Sequence, residues 1–321
     1  MLSALRKLAD VISMGLVGAL MLRRARDAQV LVLTDYIGSG HLLSALKRER
    51  VGFHICCTPA FPYRTLFHKG GWTQPEGLLH VEDYGEENIQ KIYKYCVEHR
   101  LTHVLIQCGS FMVPAYNRLN DLLGNGKANS VLARQCSLDK ITLRHTLNNA
   151  GLSVLQNKEI AIGDDILPLR YPCVLKPAIG TASEGVYLLS SDADLHKYGD
   201  QARAQRRTTA FHNKFLIEEY VEGAQFDVEG VILNGEVAIL CIVQENYEGY
   251  LPEFNYNWYL FNAPIPEDLR HIISLNTASV LSACGIRHGA FHCEMRVDKA
   301  QNIKVLDLAN RMGGGFEAII S

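Results

Sequence analysis

The sequence predicts an α/β chain that becomes α+β in its C-terminal part, and three observations predict it. Short apolar strands alternate with amphipathic helices from Gln29 to about Ile106. Two later stretches alternate apolar and polar residues about compact turns. Glycine-rich loops follow strands at residues 38–40, 177–185 and 311–315.

Of the 321 residues 48% are apolar and 21% charged, which supplies a large core for two or three compact units. The formal charge of -2 excludes the broad basic surface that nucleic acid or an anionic membrane requires, so neither is expected as a partner. The basic cluster from Arg203 to Arg207 reads as a solvated face or loop tip. Nine cysteines without a Cys-x-x-Cys pair lie mostly in apolar runs such as Pro172-Cys173-Val174. They read as buried thiols in a reducing, cytoplasmic setting, neither a disulfide framework nor a zinc site. Val11 to Leu22 is apolar and flanked by basic residues, but it is too short to span a bilayer. No small-x-small cleavage site follows it, so a packing helix is expected in preference to a signal peptide.

Val30 to Leu33 is a short buried strand, His41 to Arg50 a helix, and Phe53 to Cys56 a second strand. Asn88 to Arg100 continues as a helix and His103 to Ile106 as a strand, which together give a parallel sheet covered by helices. Gly38-Ser-Gly40 is an incomplete dinucleotide pattern, because Leu43 stands where the third glycine belongs. Gly126 closes this unit. Asn129 or Ser130 caps a helix running to about Asn149, which Gly151 ends. Phe215 to Tyr220 is a strand, and Phe226 to Ile242 is a hairpin turning at Asn234-Gly235. Pro266 to Ala283 is a helix with proline at its start and Gly285 past its end. His292 to Val297 and Ile303 to Leu308 form the last hairpin.

Three motifs carry chemistry. Lys176 ends an apolar strand and is followed by a small-residue loop whose N–H groups could wrap phosphate oxygens. Either Lys176 meets an anion there, with Gly180, Thr181, Ser183 and Gly185 as cover, or it snorkels to solvent beside an ordinary loop. In the last hairpin, simple pairing about Ala300-Gln301 puts Glu294 opposite Asp307. Facing carboxylates repel unless a cation joins them, and Mg2+ suits one or two carboxylates with phosphates and waters. A solvated surface hairpin would alternate in the same way, with Phe291, Cys293, Met295 and Val297 on its apolar face. Arg311-Met-Gly-Gly-Gly315 then offers either a flexible loop or a close backbone approach with a bidentate cation.

Taken in order from Leu119 to the C-terminus, these motifs resemble the ATP-grasp superfamily, closest to the L-amino acid ligase branch that includes bacilysin-type dipeptide ligases and carnosine synthase. Leu119-Asn-Asp-Leu-Leu-Gly124, with Asp139-Lys140 and Arg144, resembles the family's first helical segment. Pro172 to Val186 resembles its lysine strand and glycine loop, and Phe215 to Gly223 its adenine hinge. Gly285 to Glu294 and Leu306 to Gly315 resemble its metal strands.

The resemblance implies a Rossmann-like preceding domain over residues 1–125, a lid and hinge over 126–221, and a metal-binding lobe over 222–321, shortened at its C-terminus. It implies ATP and Mg2+ as cofactors. Lys140 and Lys176 would grip the phosphates, with Gly180, Thr181 and Ser183 covering them. Glu218, Glu219, Tyr220 and Val221 would meet the adenine, and Gln225 the ribose. Glu294 and Asp307 would hold the metal. Arg311, Lys176 and His292 would act at the reacting centre, His292 beside the transferring phosphoryl group. Three positions depart from the family pattern. Gln225 replaces an acid, Ala309 replaces a metal-binding asparagine, and no lysine occurs between Lys214 and Lys299. Asn310 is expected to face away from the metal.

The implied activity is ATP-dependent ligation of a small carboxylate, such as an amino acid, to an amine through an acyl phosphate. The assembly is left open between a monomer and a homodimer. Two alternatives stand beside it: an ATP-binding protein without independent ligase activity, and a dinucleotide enzyme built on the N-terminal unit.

Overall fold

The computed structural model describes residues 29–35, 40–63, 65–69, 73–106, 109–161, 168–181, 183–205, 214–246 and 258–314. The readings of Val11 to Leu22, of Gly38 and of the end of the 203–207 cluster lie outside these residues. Among those described, no helix is long and apolar enough to cross a membrane. The eight described cysteines are all free and buried, as their apolar neighbours imply.

The first sheet is parallel, in the order β3 (Gly77–His80), β2 (Gly52–Cys57), β1 (Gln29–Leu33), β4 (His103–Ile106). Successive residues of β1 point to opposite faces, and both faces are apolar because both are covered. Val30 and Val32 pack with Leu43 and Leu46 of α1 (Gly40–Arg48). Leu31 and Leu33 pack with Ile89 and Ile92 of α2 (Glu86–Glu98) and Leu119 of α3 (Val113–Leu122).

The single helix expected from residue 130 to 149 is two. Ser130 caps α4 (Val131–Cys136) by accepting from the Ala133 N–H, and Asp139 caps α5 (Lys140–Asn149) by accepting from that of Ile141. The second cap restarts the helix and so sets the direction in which Lys140 leaves it.

The second sheet is antiparallel, ordered β5 (Asn157–Ala161), β8 (Lys214–Glu219), β6 (Cys173–Pro177), β7 (Tyr187–Leu189). Helix α6 (Asp192–Gln205) contributes Tyr198 and Ala202 to its core, and Tyr198 stacks on Tyr187 with ring centroids 4.7 Å apart.

The third sheet is antiparallel, ordered β11 (Trp258–Leu260), β10 (Glu236–Asn246), β9 (Ala224–Leu233), β12 (His288–Val297), β13 (Ile303–Ala309). Strands β9 and β10 join at Asn234-Gly235, both at positive φ (55° and 90°), the backbone that a two-residue hairpin needs. One face carries Phe226, Val228 and Ile232 of β9 with Phe291, Cys293 and Met295 of β12. It is sealed by Ile273, Val280 and Leu281 of α7 (Glu267–Ala283), together with residues of α4 and α5. Helices α4 and α5 thus pack beneath the third sheet although they precede the second in the chain.

Gly230 lies opposite Phe291 across the β9–β12 ladder, and a Cβ there would sit 2.4 Å from the Phe291 ring and 2.5 Å from the Ala238 carbonyl. The neighbouring backbone cannot move aside cheaply. Gly230→Ala is therefore expected to destabilise the chain by about 1–3 kcal/mol, read as a lower urea midpoint at an unchanged slope.

Candidate functional site

The opposite face of the third sheet is polar, and strand register explains how its side chains are grouped. Residues directly opposite one another in an antiparallel pair share a face. Glu245, Gln225 and Arg296 form one row; Asp227, Glu294 and Asp307 form the next; Glu229 and His292 form a third. This face meets the second sheet across a cleft lined by Lys140, Lys176, the loop residues Gly180, Thr181 and Ser183, and the hinge from Glu218 to Val221. Gln225, Glu294, Asp307 and Arg311 complete its lining.

Glu294 does face Asp307, but simple pairing is not the reason. From Val297 to Met295 the strand partners are Ile303, Lys304 and Val305; the register then shifts, leaving Leu306 as an extra residue. Without this bulge, alternation would turn Asp307 toward the apolar face. The bulge also presents two carbonyls. Leu306 O accepts from Lys176 Nζ at 3.0 Å, and Val305 O accepts from Arg144 Nη2 at 2.6 Å.

Those two cations share one carboxylate. Glu218 pairs with Arg144 and with Lys176, each at 2.5 Å, and all three side chains are buried. Burial alone would raise the Glu218 pKa, yet Lys176 and Arg144 hold it below its ordinary value. The Glu218 carboxylate, expected at an adenine edge, lines the cleft and also ties the lysine strand to helix α5. At the hinge, the Glu219 N–H donates to Gln156 O and the Val221 carbonyl accepts from Arg296. The Arg296 guanidinium also lies 5.0 Å from the centroid of the Tyr220 ring.

Lys140 leaves the start of α5, donates to Gly180 O at 3.1 Å and pairs with Asp307 at 2.9 Å. Burial would raise the Asp307 pKa, but Lys140, and behind it Lys176, lower it. Arg311 is anchored by Ser110 of the N-terminal unit at 2.9 Å and by its neighbour Met312 O. Asn310 bonds His288 O, Ala290 O and Asn129, so it faces away from the two acids, as expected.

His292, expected beside the reacting centre, is buried. It stands behind the cleft with Nδ1 on Glu229 and Nε2 on Glu294, the latter at 3.1 Å. Burial lowers its pKa, but Glu229 above all, then Glu294 and Asp227, hold it well above the ordinary histidine value. Burial pushes Asp227 well above the usual carboxylate range; His292 opposes this, and Glu245 and Glu294 add to it. Sequence reasoning passed over Asp227, Glu229, Glu245 and Arg296. For Asp227 and Glu229 the signal was present in Gln225-Phe-Asp-Val-Glu229, where polar residues recur at every second position of a strand.

Residues 169–318 match the ATP-grasp domain family. The chain is 28% identical to carnosine synthase 1 of Gallus gallus over 154 residues, covering 46% of this chain and 16% of that protein. It is also 28% identical to the D-alanine--D-alanine ligase of Anaeromyxobacter dehalogenans over 180 residues, 52% of this chain and 54% of the ligase. The chain thus spans about half or less of the length of these curated relatives. The crystal structure of L-amino acid ligase from Bacillus licheniformis superposes with a TM-score of 0.74 at 20% identity, covering 90% of this chain and 68% of that one. An ADP complex of N5-carboxyaminoimidazole ribonucleotide synthetase gives 0.67 at 17% identity, covering 89% and 71%. The fold is that of the ATP-grasp proteins.

The Glu218 arrangement has a measurable consequence. A carboxylate held below its ordinary value of 4.5 contributes stability that is present above that pH and lost as pH falls through the folded value. Glu218→Gln, which leaves two cations without their anion, should cost about 3–5 kcal/mol at neutral pH. It should also flatten the acid limb of stability against pH. Urea unfolding from about pH 7 down to about pH 3 reads both effects; an unaltered acid limb would contradict the assignment.

Proposed function

We propose that this chain binds Mg-ATP between its second and third sheets and uses it to join a small carboxylate to an amine. The observation that carries this reading is convergence. Lys140 from a helix start, Lys176 from a strand end and the facing acids Glu294 and Asp307 all line one cleft. A region that unites two cations and two anions suits a ligand bearing both phosphate and metal. Lys140 rests on Asp307, so a cation already occupies the place beside that acid.

Among the described residues no group of three or more His, Cys, Asp and Glu side chains could hold a metal ion. That fits Mg2+, which takes one or two carboxylates and completes its shell with phosphate oxygens and water. Glu294 and Asp307 would hold it, and it would supply charge neutralisation at the transferring phosphate. The glycine loop with Thr181 and Ser183 would cover the phosphates, the hinge and Gln225 would take the nucleoside, and Arg311 would orient the carboxylate.

Transfer of the γ-phosphoryl group to a carboxylate oxygen releases ADP and gives an acyl phosphate. The amine nitrogen then attacks the acyl carbon, phosphate leaves, and the nitrogen loses a proton. A free carboxylate would have to expel oxide; the phosphorylated one expels phosphate. The chain's part is positioning and charge stabilisation. Ligation by several similar proteins supports the reaction class: carnosine synthase, D-alanine--D-alanine ligase and L-amino acid ligase are named for joining such groups. The three units at 1–125, 126–221 and 222–321 belong to the same proposal, as does a reducing cytoplasmic setting, which the free cysteines support.

A second reading, nucleotide binding without ligation, draws on Ala309 and on the committed Asn310, which leave the acid pair without a neighbouring asparagine ligand. Calorimetry with Mg-ATP followed by an ADP-release screen over amino acids separates the two. Binding with turnover is expected, and binding alone favours the second reading. Lys140→Ala should lower turnover by about 10²-fold, and wild-type turnover in that variant would overturn the proposal.

A further inference from the structure

A chain of hydrogen bonds runs from the loop at Gly313 to the acid pair through residues that do not themselves line the cleft. The Gly313 N–H donates to Glu229 Oε2 at 3.0 Å. Glu229 Oε1 holds His292 Nδ1, and His292 Nε2 holds Glu294 Oε1 at 3.1 Å. Glu229 is 0% exposed and has both oxygens engaged. Both ring nitrogens of His292 are thus held, one by each acid.

The His292 ring is clamped by two carboxylates, on β9 and on its own strand β12, and the second of them lines the cleft opposite Asp307. The outer carboxylate is in turn fixed by the loop that follows Arg311. Each link restricts the next: Gly313 orients Glu229, Glu229 sets the imidazole plane, and the imidazole holds one oxygen of Glu294.

We infer that Glu229 is a positioning residue that, through His292, sets Glu294 to receive the nucleotide-bound divalent cation and ties that acid to the Gly313 loop. This rests on the Mg-ATP reading above. Partners one shell out from a metal ligand commonly alter metal affinity by about 10–100-fold when removed.

The test uses Mn2+ as the probe and ADP as the nucleotide, with free Mn2+ followed by its paramagnetic resonance signal. Glu229→Gln and His292→Asn should each weaken Mn2+ uptake in the presence of ADP by about tenfold. ADP affinity measured by calorimetry without metal should stay within about twofold. Because both changes cut one chain, the double variant should be little worse than either single one. If Glu229→Gln fails to fold, His292→Asn carries the same expectation one link nearer the acid. Unchanged Mn2+ affinity, additive losses, or an equal fall in metal-free ADP affinity would overturn the inference. A wild-type chain that takes up no Mn2+ with ADP would instead overturn the Mg-ATP reading and the inference with it.

Discussion

The arrangement depends on one buried carboxylate that holds two cations. Glu218 would be expensive to ionise in the interior by itself, and so would Arg144 or Lys176. Together they form a charged cluster whose remaining donors reach the backbone of β13 and Ser153. The cluster therefore clamps three segments: helix α5, the hinge strand β8 with its neighbour β6, and the bulged edge of the third sheet. A buried ion pair adds little net stability compared with apolar packing, but breaking one is costly. It acts here as a register pin between two sheets, and the cleft is the space left between them.

The second constraint is the separation of faces on the third sheet. Its apolar side closes on α7 and the helices near residue 140, which forces the alternate residues of β9, β10 and β12 together on the other side. Buried acids, an amide, an imidazole and an arginine then have to satisfy one another. They do so in rows: Arg296 donates to Gln225, which donates to Glu245, while Glu229, His292 and Glu294 form a second chain. Only Asp227 keeps a buried oxygen without a partner among these rows, in keeping with its raised pKa.

Much of this was legible in the sequence where one local rule acted alone. The Asn234-Gly235 turn, the helix between Pro266 and Gly285, and the parallel strands at Val30 and Phe53 each follow from short-range patterns. The elements missed are those whose identity comes from their neighbours. Strand β5, Asn157-Lys-Glu-Ile-Ala161, buries only Ile160 and exists because β8 offers it an edge. The break at Ser137 is set by the second cap at Asp139, which periodicity across Val131 to Asn149 conceals. In the cleft, residues at strand ends and in loops were recognisable by type. For Glu218 and His292, a linear text does not show which other side chains hold them.

The single surplus residue in β13 bears on how this hairpin could be transplanted or redesigned. A shortened copy lacking Leu306 would still bring both acids side by side, and a comparison of side chains alone would score it as intact. It would lack the peptide group on which the lysine ammonium rests. The portable unit is thus Cys293 to Leu308 with its irregularity included, since the backbone defect is as much a ligand as any side chain it displays.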